Sequence, residues 1–72
     1  MQEEKNNKLE VPVWEKLNLS IKEAAAYSNI GINKIEELLA APGCTFVLYV
    51  GTGKKLVKRK QFEKYLERSI SI

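Results

Sequence analysis

Residues 50–62 read VGTGKKLVKRKQF, a stretch that two kinds of chemistry use. A Gly-Thr-Gly-Lys turn can fold backbone N–H groups around a nucleotide phosphate, with the lysine closing the cradle. A glycine-bent hairpin tip carrying lysines can instead rest on the phosphodiester backbone of a nucleic acid. The spacing decides between them. A phosphate-binding loop needs a glycine five residues before Gly53, where Leu48 stands, and a serine or threonine after the lysine, where Lys55 stands. Leu56-Val57-Lys58 then continues as a strand, not as the helix such a loop requires, and no later strand carries an acidic magnesium ligand. The nucleotide alternative fails on every one of its structural conditions.

Charge distribution supports the second chemistry. The net charge of +3 hides a division: residues 1–44 sum to −2 and residues 45–72 to +5. Lys54, Lys55, Lys58, Arg59 and Lys60 make five of seven consecutive residues basic, with only Leu56 and Val57 between them. A basic run is often just a solvated face, but burying that apolar pair gives the flanking charges a fixed direction.

The remaining composition excludes much else. Histidine and aspartate are absent and Cys44 is the one cysteine, so the usual zinc ligand sets cannot be assembled and a serine or cysteine nucleophile lacks its common base. No catalysis, metal or cofactor is expected. No disulfide can form within the chain, which points to a reducing, cytoplasmic setting. Cys44 reads as a small, part-buried residue at a strand start. The polar start does not resemble a secretory signal, and the longest apolar run, FVLYV, is far short of a membrane span. At 72 residues the chain holds one small domain. We expect a flexible tail over residues 1–10, the domain over 11–68 and a short tail over 69–72.

The elements that must position the basic stretch are legible in order. Ser20 with Glu23 three residues on forms a capping box, and Ile21, Ala24, Ala25 and Ser28 share one face, so a short helix is expected from Ile21 to Ser28. Asn29, Ile30 and Gly31 make the break, with Gly31 as turn residue and next N-cap. A second helix runs through INKIEELLAA to Pro42 and Gly43, its apolar stripe made of Ile32, Ile35, Leu38 and Leu39. Two short helices around a three-residue break are a helix-turn-helix signature. The period then becomes alternating, with Phe46, Leu48 and Val50 on one side and Thr45, Val47 and Tyr49 on the other, and GTGKK bends the segment into a hairpin. KQFEKYLER returns to helical spacing around Phe62, Tyr65 and Leu66. Upstream, Pro12 implies an extended arm that packs Trp14 on the core, with Leu17 to Leu19 adding an edge strand.

The expected fold is therefore α+β, a small winged helix-turn-helix. Its second helix would enter a major groove of double-stranded DNA while the hairpin wing reaches the backbone. On that arrangement Asn33 and Lys34 are candidates for base edges or phosphates, and Glu37 can accept from a cytosine amino group. Lys22 is a phosphate candidate near the first helix's start. Thr52, Gly53, Lys54 and Lys55 meet the backbone at the wing tip, and Lys58, Arg59 and Lys60 at its root.

VPVWEKLNLSIKEAAAYSNIGINKIEELL followed by KRKQFEKYLE resembles the small excisionases of conjugative transposons. Trp14-Glu15, LSIKEAA, IGINKI and RKQFEKYL carry the likeness. It implies a MerR-like winged helix that binds and bends DNA near the ends of a mobile element. It also implies a tyrosine-recombinase integrase as partner and further copies of the chain on adjacent sites. Residues 68–72 would be available to the integrase or to a neighbouring copy. Glu36 and Glu37 stand where members often carry basic residues, which bears on sequence preference rather than on binding mode. A small transcriptional regulator would use the same surface, and a protein-interaction adaptor would turn the basic wing to an acidic partner.

Overall fold

Ser20 begins the first helix as its neighbours demand. In the computed structural model, which describes residues 10–72, its Oγ accepts from the Glu23 N–H at 3.1 Å. The Glu23 carboxylate in turn accepts from the Ser20 N–H at 2.9 Å. Two of the first turn's free donors are thereby satisfied, and helix α1 spans Ile21–Ser28. The tail expected over residues 1–10 lies outside the described residues except for Glu10.

The break after α1 uses a different residue from the one expected. Asn29, with φ 64°, takes the left-handed conformation and its N–H reaches the Ala25 carbonyl, while Gly31 stays extended at φ −63° and ψ 151°. Asparagine tolerates that conformation better than other residues with a Cβ, so no glycine is required there. Gly31 does serve as N-cap of helix α2, Ile32–Ala40. Within α2, Ile35 and Leu39 are buried and Leu38 packs partly on the core, whereas Ile32 at the first position is 41% exposed.

Three strands follow the expected pattern: β1, Asn18–Leu19; β2, Val47–Val50; and β3, Lys54–Lys58. They form one antiparallel sheet in the order β1-β3-β2, with Leu19 opposite Val57 and Val47 also opposite Val57. Leu19, Val47 and Val57 thus share the face that meets the helices, and Leu48, Leu56, Asn18 and Lys58 share the other. Phe46 is in the core, but it precedes β2, and the strand's inward position belongs to Val47 rather than to Leu48. The alternation is as expected, and the pairing with Val57 makes the side of Val47 the one that meets the core.

Helix α3, Arg59–Arg68, starts at the residue after β3. It buries Phe62, and Phe46 lies against both Phe62 and Tyr65, with ring centroids 5.2 and 5.0 Å apart and planes tilted by 47° and 44°. With Leu19, Ala24, Ile35, Leu39 and Val57 these phenylalanines complete the core, and Cys44 packs partly against it as a free thiol.

The arm before β1 departs from expectation. Pro12 caps a single 3-10 turn, Val13–Glu15, closed by Glu15 N–H to the Pro12 carbonyl at 2.9 Å. That turn directs Val13 to the core and leaves Trp14 63% exposed. Adjacent residues of a tight helix point in different directions, so the arm can bury one of the two. Phe62→Ala is expected to cost about 3–5 kcal/mol in urea unfolding and Trp14→Ala under about 0.5 kcal/mol.

Candidate nucleic-acid interface

The hairpin joining β2 to β3 is a three-residue tip. Val50 pairs with Lys54, which leaves Gly51, Thr52 and Gly53 as the turn, and only Gly51, at φ 65°, needs the left-handed region. Thr52, Gly53, Lys54 and Lys55 are all exposed. Strand alternation sends Lys55 to the face of β3 that carries Val57, and its Nζ stands 6.0 Å from the centre of the Tyr49 ring. Lys54 and Lys58 leave on the opposite face.

Beside the tip lies α2. A concavity of about 310 Å³ between them is lined by Ile21, Glu36, Leu39, Gly53 and Lys55. The wing therefore stands along the Glu36 flank of α2. At 100° per residue Asn33 and Glu37 occupy the outward face, and both are exposed. Lys34 is on the flank away from Glu36; its Nζ pairs with Glu37 at 3.3 Å and donates to the Ile72 backbone oxygen at 3.2 Å. Exposed pairs of this kind contribute little and are easily exchanged for another anion. Lys22, also exposed, follows Ile21 at the start of α1. The concavity thus brings the tip residues Gly53 and Lys55 to Glu36 of α2 and Ile21 of α1, while Lys22, Asn33 and Glu37 are exposed without lining it and Lys54 leaves on the sheet's other face.

The wing root is arranged otherwise. Arg59 is only 14% exposed: its Nε donates to the Lys16 carbonyl at 2.6 Å and its guanidinium pairs with Glu63 at 3.1 Å. The Arg59 N–H reaches the Leu17 carbonyl at 3.2 Å. This residue, expected at the phosphates, holds the arm to α3. Its role lay beyond sequence reasoning because Lys16 is 43 positions away. Lys58 and Lys60 border a groove on the outer face of the sheet instead of facing α2.

Two carboxylates are held ionised. The Lys16 ammonium and the Ser20 N–H pull Glu23 below its ordinary value of 4.5. The Tyr27 hydroxyl, followed by Arg59, does the same for Glu63, and the bond to Glu63 pushes Tyr27 above 10. Among the described residues no cluster of acidic, histidine or cysteine side chains could hold a metal ion. No helix among them is long and apolar enough to cross a membrane.

A helix-turn-helix followed by a hairpin with an exposed basic tip defines a small winged helix. The family model described as the excisionase from transposon Tn916 matches residues 4–72, and the chain belongs to that family. The excisionase from transposon Tn916 of Streptococcus agalactiae is 36% identical over 58 residues, spanning 81% of this chain and 87% of the relative. No solved structure matches the chain.

The charge states of Glu23, Glu63 and Tyr27 each add a pH-dependent contribution to stability. Glu23 and Glu63 have lowered folded values, so their contribution is complete above about pH 4.5 and is lost as pH falls through those values. Tyr27 has a raised value, so its contribution is complete below about pH 10 and is lost as pH rises through it. Thermal melting against pH should show a plateau between those limits, and Tyr27→Phe should lower its level while removing this group's share of the alkaline fall. Arg59→Ala should lower unfolding free energy by about 2 kcal/mol, measured in urea, and Arg59→Lys should recover only part because it lacks the guanidinium's several fixed donors.

Proposed function

We propose that this chain binds double-stranded DNA through α2 and the wing tip, bends it, and directs a tyrosine-recombinase integrase towards excision of a mobile element. The observation that carries the proposal is the exposed basic tip standing along the Glu36 flank of α2, in a chain of the excisionase family. Helix α2 enters the major groove, where Asn33 meets a base edge and Glu37 accepts from a cytosine amino group. Opening the Lys34–Glu37 pair frees both for the duplex, so the pair acts as a stand-in that DNA displaces. Thr52 and Gly53 bring the tip's backbone close to the phosphates. Lys22, Lys34, Lys54 and Lys55 neutralise charge there. Adjacent copies on neighbouring sites sum their bends and draw distant integrase sites together. Strand cleavage and joining belong to the recombinase in this scheme.

The test is the salt dependence of duplex affinity. About four lysines on phosphates give a slope of log K against log salt between about −3 and −4. Lys54→Glu with Lys55→Glu should weaken binding at least about tenfold and flatten that slope by about 2, with melting temperature unchanged. An affinity independent of salt, or unaltered in the double variant, would overturn the proposal. Excision measured with integrase then reports the second half: the same double variant should abolish it.

A further inference from the structure

The outer face of the sheet carries exposed and half-buried apolar side chains. Its centre is a groove of about 330 Å³ lined by Leu17, Asn18, Leu48, Lys58, Lys60 and Gln61. Leu17 is 72% exposed, and Leu56, paired with Leu48, extends the floor towards the tip. Val50, 41% exposed, leaves on the same face beyond it. Lys58 and Lys60 rim the groove without an ion pair among the described residues, and no carboxylate lines it. The nearest acid on α3, Glu63, is turned away to Tyr27 and Arg59.

We infer that this groove docks an acidic segment of a protein partner that also carries apolar side chains. The inference rests on the proposed assignment of DNA to the other face, where Lys55 and α2 stand. Charge complementarity selects the partner's sign: two ammonium groups without an ion pair among the described residues attract anions. The floor selects its class. Phosphates, the part of a duplex that ammonium groups meet, offer nothing to leucine side chains, whereas apolar residues of a protein segment cover them and remove them from water. The Asn18 and Gln61 amides both donate and accept, which suits the backbone of an extended segment. Because strand alternation places Lys58 opposite in direction to Lys55, DNA on one face and protein on the other can be held together.

Nuclear magnetic resonance on the labelled full chain tests this with three probes: a short peptide alternating glutamate with leucine, an all-glutamate peptide of equal length, and a DNA duplex. The alternating peptide should move the amide signals of Leu17, Leu48, Leu56 and Lys58 saturably. It should bind at least about tenfold more tightly than the all-glutamate peptide, because the latter leaves the floor uncovered. The duplex should move Asn33 and Thr52 to Lys55 and leave the groove signals in place. Leu17→Ser and Lys60→Ser are both at exposed positions, so the fold persists. Together they should weaken the alternating peptide about tenfold while duplex affinity stays within about twofold. Equal binding of the two peptides, peptide shifts confined to the wing tip, or groove signals that follow the duplex would overturn the inference. Groove signals that move on dilution of the chain alone would overturn it too, since the occupant would then be a second copy. Unaltered duplex binding by the tip variant would sink the DNA assignment while leaving the peptide result readable.

Discussion

Val57 sits at the centre of the sheet, fully buried between Leu19 on one neighbouring strand and Val47 on the other, and its burial sets the direction of the charges around it. A strand places successive side chains on opposite faces, so a buried residue 57 forces Lys58 and Leu56 outward and Lys55 inward, towards α2. A slip of one residue would turn Lys58 towards the core and expose the valine, a loss large beside the marginal stability of a small domain. The basic run is therefore not a flexible patch of charge but two sets of cations with defined headings.

Short-range devices supply what a core of seven buried residues cannot. The capping box starts α1, left-handed Asn29 ends it, and Gly31 starts α2 within two further residues. Each is local and offsets part of the nucleation cost of helices too short to stand without the core beneath them. Arg59 performs the complementary task over long range. Its guanidinium joins the arm's Lys16 carbonyl to Glu63, and Glu63 in turn accepts from Tyr27 on α1. Arm, wing root, α1 and α3 meet in that one polar cluster.

What could be foreseen follows the range of the interaction responsible. Ser20 and Glu23 are three residues apart and announce their helix; Phe62, Tyr65 and Leu66 announce theirs by period. The strand pattern of residues 45–50 was legible as a parity but not as a sign, because either parity of FVLYV is apolar and only the pairing with Val57 decides which one faces inward. Trp14 misleads for a related reason: size and apolarity favour burial, yet the 3-10 turn set up by Pro12 gives the inward position to Val13. The tip residues 52–55 were evident from glycine spacing and charge. The commitment of Arg59 was not, because a guanidinium next to two lysines looks like a third cation until the Lys16 carbonyl is brought to it.

Strand β3 ends at Lys58 and α3 begins at Arg59, with no intervening loop. A hairpin anchored in this way behaves as a lever, not a tether. Force applied at its far end cannot be taken up by slack at the near end, and passes directly into the helix and the aromatic contacts beneath it. A strut without slack would pass strain at its tip into the helix, and strain in the helix back to the tip.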